Sequence, residues 1–390
     1  MALAAEDATL EVGTRADGSL LVATEGGPGY PATLSRADYL ALFGPLRGGS
    51  FLIVAHGENV HVSLYQVRFI EDLTVSGASP ANQRGSLPDY RLQAHSRYHA
   101  AMEFQTSHPY VLTASCTSRM GTAAAVTGFI AAHRLYIMEM QQFDDILTKR
   151  FFLRVTFCAV AGETVDLVRL REEFVRVANA EQMHWNIHDG QHRSRVLILV
   201  SKLDHCLEDL LYRQRIGELP MDVTGIVSNH PGMRPIAERH GIPYYLMPVT
   251  PDSKAAQESR LLELIDSTQT DLVVLARYMQ IFSDDICKHL RGRAVNIHHS
   301  FLPGFKGAKP YHQAHTRGVK LIGATAHFVT ADLDEGPIIE QIVERVDHSF
   351  TPEMLAAAGR DSERRALSTA VRLLLEHRVF LDENKTVVFK

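Results

Sequence analysis

Between Arg195 and His298 the chain repeats one pattern, a short and almost unbroken apolar run followed by a stretch with helical spacing. The apolar runs are 196–200, 223–228, 244–249, 272–276 and 294–298, and the helical stretches between them are 206–215, 233–240, 254–267 and 284–290. A half-exposed strand alternates apolar and polar residues, so runs without alternation belong to strands buried on both faces. Joining such strands through helices gives a parallel sheet with helices on both sides, an α/β architecture. In open sheets of this kind ligands bind beyond the carboxyl ends of the strands. The last run ends in Asn296-Ile297-His298, and the period of two sets Asn296 and His298 on one side of it.

The segments around this core divide the chain into three. Residues 192–390 hold the parallel sheet, two further apolar segments at 323–329 and 338–346, and a long helix from 352 to about 379. Residues 106–191 read as strands 110–115, 136–144, 151–160 and 183–187 with helices 122–133 and 165–179, the βαββαβ order of a ferredoxin-like unit. Residues 1–105 are a small β-rich extension of unassigned role. Strands 9–14 and 19–24 flank Ala16-Asp17-Gly18, and strands 51–55 and 60–67 flank His56-Gly57-Glu58-Asn59, two hairpin signals. A short helix over 35–43, a Gly/Ser/Pro-rich loop over 76–88 and a helix over 89–106 complete the extension.

Composition excludes several function classes. A net charge of -5 provides no basic field for nucleic acid. No apolar run is long enough to span a bilayer, which argues against a membrane partner, and residues 1–10 lack the charged and apolar regions of a secretory signal. The four cysteines, Cys116, Cys158, Cys206 and Cys287, form no Cys-x-x-Cys pair. Reduced thiols in the cytoplasm are the expectation, rather than a disulfide framework or structural zinc. No Gly-x-Gly-x-x-Gly follows the first strand, so a dinucleotide cofactor is not expected. The twenty histidines contain no His-Glu-x-x-His, and His95 with His99 reads as a solvated helix face rather than a metal site.

What remains is an amide, an imidazole and a carboxylate: Asn296, His298 and Asp334, the last in the loop 330–337 between two apolar segments. Such a set can polarise a carbonyl and move protons. His299 and His327 lie near it in sequence, and His205 begins a helix whose N-terminus lies at the same sheet edge.

The segments Asn296-Ile-His-His-Ser-Phe-Leu-Pro, Gly307-Ala-Lys-Pro-Tyr-His-Gln-Ala, Gly323-Ala-Thr-Ala-His-Phe-Val and Leu333-Asp-Glu-Gly-Pro-Ile-Ile closely resemble the formyltetrahydrofolate deformylases. So do Leu199-Val-Ser-Lys-Leu-Asp-His-Cys-Leu-Glu-Asp-Leu-Leu and Val274-Leu-Ala-Arg-Tyr-Met, and the resemblance spans residues from about 108 to 390. It implies a Rossmann-like formyltransferase fold and hydrolysis of formyltetrahydrofolate to formate and tetrahydrofolate. Asn296 and His298 would polarise the formyl group and Asp334 would position or activate water. It implies a folate substrate, a role in one-carbon metabolism and purine biosynthesis, and no metal or cofactor beyond the folate.

The resemblance also implies substrate contacts from Arg277, Tyr278 and Met279, largely through backbone groups, with Ala331 and Leu333 on the opposite wall and His205 and His299 nearby. The middle unit is similar to an ACT domain, which implies homo-oligomers paired through its sheet. Its turn Ser115-Cys-Thr-Ser-Arg-Met-Gly keeps Gly121 and lacks the family's Asp. Two other functions use the same residues. A formyltransferase would place an amine acceptor where a hydrolase holds water, and a non-catalytic folate or amino-acid sensor would bind without turnover.

Overall fold

The computed structural model describes residues 108–159, 164–250, 252–302 and 310–390, with the strand backbones of 10–14, 20–24, 50–54 and 63–67. The helices expected over 35–43 and 89–106, His95 and His99, and the motif residues 303–309 lie outside the described residues. The chain divides into two units, Met1–Arg91 and Leu92–Lys390. In the first, β1 (Leu10–Thr14) pairs antiparallel with β2 (Leu20–Thr24), and β3 (Ser50–Val54) with β4 (Ser63–Val67).

The second unit contains two sheets. β5 (Pro109–Thr117), α1 (Thr122–Ala132), β6 (Tyr136–Asp145), β7 (Arg150–Cys158), α2 (Leu167–Glu181) and β8 (His184–Asp189) form an antiparallel sheet in the order β6-β7-β5-β8. Alternation decides its faces. Leu112, Ala114, Leu153, Val155 and Phe157 pack against Val126 and Ile130 of α1 and Leu170 and Phe174 of α2. The Asp166 side chain caps α2 by accepting from the Arg169 N–H.

The larger sheet follows as β9 (Ser194–Val200), α3 (His205–Arg215), β10 (Met221–Ser228), a 3-10 turn (Pro231–Met233), α4 (Arg234–Arg239), β11 (Tyr244–Leu246), α5 (Lys254–Ser267), β12 (Leu272–Leu275), α6 (Asp284–His289) and β13 (Ala294–His298). Next come α7 (Pro310–Arg317), β14 (Leu321–Phe328), β15 (Ile338–Arg345), α8 (Pro352–Leu375) and the hairpin β16 (Val379–Asp382) and β17 (Lys385–Val388). The strand order is β11-β10-β9-β12-β13-β14-β15, parallel as far as β13, with β14 antiparallel to both β13 and β15. The order reverses between β9 and β12, so the crevice expected for a ligand opens beyond their carboxyl ends.

The two faces of the sheet have separate cores. Val196, Ile198, Val200, Val274, Val295, Ile297, Ala324 and Ala326 face α3 and Ala366, Leu367, Ala370 and Val371 of α8. Leu197, Leu199, Val273, Leu275 and Ala294 face Leu261 and Ile265 of α5 and Ile286 of α6. Strand β11 stops at Leu246, three residues short of the expected 249, next to Pro248, which has no N–H to give a ladder. Helix α8 ends at Leu375 rather than near 379, because His377 adopts φ 54 and turns the chain out of the helix. The residues beyond it, for which the sequence sets no expectation past 379, form the β16–β17 hairpin.

That hairpin and the end of α8 lie against the free face of the smaller sheet. Phe152 meets Phe380 edge-on at 5.8 Å. Buried Arg154 donates to the Glu376 carbonyl at 3.2 and 3.1 Å and to Glu139 at 2.7 Å. His188 stacks on His377 with centroids 3.6 Å apart. Burial pushes His188 down to about 3, helped by the charges of His377, Arg171 and His192. Burial pushes His377 down to about 4, helped by Arg154 and His192 and opposed by Asp271. Both folded values lie below that of a free imidazole, so the unfolded chain takes up these protons first. Their stabilising share is complete above about pH 6.5 and is lost as pH falls through about 4 for His377 and about 3 for His188. In a melting series over that interval, His377→Asn, which tolerates the left-handed backbone, is expected to lose less Tm than the parent, by roughly 2–4 °C for each kcal/mol of linkage removed.

Candidate active site

The side chains of Asn296 and His298 emerge from β13 on the face opposite Val295 and Ile297. The antiparallel register of β14 sets His327 beside Asn296 and Thr325 beside His298, on that same face. His327 donates from Nδ1 to the Phe328 carbonyl at 2.9 Å, which leaves Nε2 as an acceptor. The Asn296 amide nitrogen lies 3.2 Å from that Nε2. An acceptor there requires the NH2 end of the amide, so the orientation of Asn296 follows from the His327 tautomer.

Asp334 comes from the β14–β15 connection. Phe328 N–H donates to the Pro337 carbonyl at 2.9 Å and closes the base of the loop, while the Cys287 thiol of α6 donates to the Thr330 carbonyl at 3.3 Å. Asp334 adopts φ 58, a left-handed conformation that Asp tolerates better than most residues. Two residues later, a Cβ on Gly336 would lie 1.7 Å from the Phe328 carbonyl oxygen, so only glycine lets the loop approach so closely. Asp334 Oδ1 then sits 3.1 Å from His298 Nδ1 and 3.8 Å from His327 Nε2. The Ser300 hydroxyl lies 2.8 Å from His298 Nε2. Thr325 Oγ1 secures the turn after β13, donating to the Ser300 carbonyl at 3.0 Å and accepting from Leu302 N–H and Gln341 at 3.1 Å each.

Burial pushes the Asp334 carboxyl up, but the His298 hydrogen bond and the charges of His298, His327 and His299 outweigh it and hold the group below its ordinary value. Burial pushes His327 down, with the Phe328 carbonyl and Asp334 opposing, which matches its role here as a neutral acceptor. Burial also pushes His299 down to about 4, reinforced by Arg277 and His298 and opposed by Glu363 and Asp334. The result is a carboxylate and three imidazoles around one amide, able to hold a water, accept its proton and donate to a developing oxyanion.

The other residues singled out in the sequence take varied places. Arg277 follows β12 with φ 65, and its carbonyl accepts from Ser201 N–H at 3.2 Å. Met279 N–H donates to Ser201 Oγ at 3.0 Å, and that hydroxyl donates to Asn229 at 2.7 Å. Ser201 thereby ties together the ends of β9, β10 and β12 at the switch point. Tyr278 turns into the core, its hydroxyl accepting from Gln257 at 3.2 Å, and burial raises it to about 12. Ala331, Leu333 and Met279 are exposed, as are Leu203, Ile281 and Phe301, so apolar side chains flank the tethered groups. The side chains of His205 and Arg277 are directed at Glu363 of α8, which was not singled out in the sequence: His205 Nε2 at 2.8 Å and Arg277 Nε at 3.3 Å. His205, Cys206 and Glu363 place ligand-type atoms within 4.8 Å of one another.

The mostly parallel sheet, with an amide, an imidazole and a carboxylate beside its last parallel strand, is an α/β formyl transferase domain: the formyl transferase family pattern matches residues 194–371. A formyltetrahydrofolate deformylase of Corynebacterium sp. (strain P-1) is 52% identical over 283 residues, which cover 72% of this chain and 98% of that protein. One from Bacillus subtilis (strain 168) is 45% identical, covering 71% and 93%. The crystal structure of the formyltetrahydrofolate deformylase of Burkholderia mallei ATCC 23344 superposes with a TM-score of 0.70 at 56% identity, covering 73% of this chain and 100% of that one. The chain belongs to the formyltetrahydrofolate deformylase family.

The close approach at Gly336 gives a direct test of the loop. Gly336→Ala should displace the Asp334 segment, lowering kcat by about 100-fold, the cost of a misplacement near 1 Å. The added methyl should cost about 1–3 kcal/mol in urea unfolding while leaving a cooperative transition.

Proposed function

We propose that the protein hydrolyses formyltetrahydrofolate to formate and tetrahydrofolate, with Asn296, His298 and Asp334 as the catalytic residues. The observation that carries this reading is the convergence of these three side chains from one strand and one loop, in a chain of this family. One N–H of Asn296 is committed to His327, and the other is available to the formyl oxygen. Asp334 holds the His298 ring through Nδ1, with the Ser300 hydroxyl on Nε2, which orients the imidazole for proton transfer at the formyl group. The carboxylate has a second oxygen with which to order the attacking water. Attack forms the new C–O bond and transfers the water proton to the Asp334–His298 pair. Collapse breaks the C–N bond, and the same pair returns the proton to the departing nitrogen.

The surroundings support water as the acceptor. A phosphate-bearing amine would need backbone N–H groups at a glycine-rich turn after the first parallel strand. Here that turn is Ser201-Lys202-Leu203-Asp204-His205, and the His205 side chain is bound to Glu363. The exposed apolar groups Met279, Leu203, Phe301 and Leu333 suit the flat faces of a pterin and a benzoyl ring, and the backbone around Arg277–Met279 suits a pterin edge. The folate is the substrate and no further cofactor is assigned.

Among the described residues no helix is long and apolar enough to cross a membrane. A cytoplasmic enzyme, paired through the four-stranded sheet whose edge strand β6 exposes Tyr136, Met138 and Met140, fits the composition.

Formate release from formyltetrahydrofolate, followed with formate dehydrogenase, tests the activity. Asn296→Ala should lower kcat roughly 100- to 1000-fold, as removal of one oxyanion donor does elsewhere. Asp334→Asn should bind folate with near-parental affinity and turn over little. The proposal is wrong if the purified parent releases no formate, or if Asp334→Asn matches its rate.

A further inference from the structure

We propose that Glu363 is a positioning residue for the reaction: a buried carboxylate on α8 that holds His205, Arg277 and Tyr311 in register at the edge of the active site. The role rests on the deformylase reading above and adds a residue that takes no part in the chemistry itself.

The carboxylate is 2% exposed, so it is closed to substrate. Three separate elements reach it. His205, at the start of α3, lies 2.8 Å from Oε2. Tyr311, on α7, donates its hydroxyl to Oε1 at 3.0 Å. Arg277, after β12, brings Nε to 3.3 Å from Oε2, without the alignment of a hydrogen bond. Charge rather than a directed bond therefore holds the guanidinium. Burial pushes the Glu363 carboxyl up, and the His205 hydrogen bond, the Arg277 and His205 charges and the Tyr311 hydrogen bond together keep it below its ordinary value.

The local sequence is shaped for this cluster. Gly359 stands one turn before Glu363 on α8, and a Cβ there would lie 1.9 Å from the Tyr311 hydroxyl oxygen. The missing side chain is what lets Tyr311 reach the carboxylate. A metal is a poor fit beside Arg277, whose guanidinium already neutralises the carboxylate. Burial and Glu363 also push the Cys206 thiol well up, away from the thiolate a metal needs.

The cluster is coupled to the reaction site by backbone and by charge. Arg277 has φ 65, and its carbonyl accepts from Ser201, whose hydroxyl accepts from Met279 N–H. A shift of the guanidinium therefore moves the wall that the folate is read to contact. His299 is the first residue beyond β13, its ring centroid 4.8 Å from that of His298, and it feels Arg277 and Glu363 with opposite sign. Without the Glu363 charge, Arg277 would stand unbalanced beside the imidazole pair.

Glu363→Gln keeps the shape and an acceptor while removing the charge. Activity of the parent is measured first, since absence of formate release there overturns the deformylase reading and not this one. In an active parent, Glu363→Gln should lower kcat by about 100-fold with KM within about threefold, at a temperature well below its Tm. The NMR titration midpoint of His299 should fall, because an anion that favours imidazolium is gone; this readout needs no turnover. A lower Tm with parental kcat and an unmoved His299 midpoint would show a purely structural carboxylate and overturn the proposal. If Glu363→Gln does not fold, Tyr311→Phe, which leaves the Arg277 pair intact, carries the test. It should cost about fivefold in kcat, the worth of one hydrogen bond, and a parental kcat there would overturn the proposal.

Discussion

The antiparallel ladder between β13 and β14 is the constraint on which the site depends. It sets His327 opposite Asn296 and Thr325 opposite His298, so one backbone register orients an amide and anchors the turn after an imidazole. Because side chains alternate with a period of two, a slip of one residue would turn His327 and Thr325 to the α8 side of the sheet and bring Ala324 and Ala326 into the site. Two packed cores oppose that slip, one on each face. The apolar composition of the strands thus sets the polar geometry at their edge: burying Val295 and Ile297 on one side obliges Asn296 and His298 to the other.

Much of this is legible in the sequence. Unbroken apolar runs separated by helical stretches fixed the class of fold, and the topology rule pointed to Asn296 and His298. Asp334 was visible through the motif around it. The direction of β14 and β15 was not legible, since apolar runs look alike whichever way a strand travels. Glu363 was hidden for another reason. It sits in Arg360-Asp361-Ser362-Glu363-Arg364-Arg365, a charged stretch that reads as a solvated helix face, yet Ser362 and Glu363 are both buried. The available signal was Gly359, a helix-weakening residue inside a long helix, which reports close approach by another group. The β16–β17 hairpin was missed because a helical pattern carries no mark where a left-handed residue such as His377 ends it. The alternation in Lys385-Thr386-Val387-Val388 was too short to announce a strand.

The smaller sheet is joined to the larger by unusually specific chemistry. Arg154 gives its guanidinium to a helix-end carbonyl, Arg378 reaches Glu139 at 3.3 Å, and Lys385 reaches Asp145 at 2.6 Å. The orphaned carbonyls at the end of α8 are natural partners for a cation. The same hairpin touches β15, where Thr386 donates to the Ile338 carbonyl at 2.5 Å, four residues beyond Asp334. A movement of the smaller sheet therefore has a covalent and hydrogen-bonded route to the loop that carries the carboxylate.

The left-handed backbone at Arg277 and Asp334 carries an evolutionary consequence. Each residue holds a conformation that costs an L side chain about 1–2 kcal/mol and costs glycine little. Random variation filtered only for heat resistance would favour glycine or asparagine at both positions, and each such gain would remove a charge from the site.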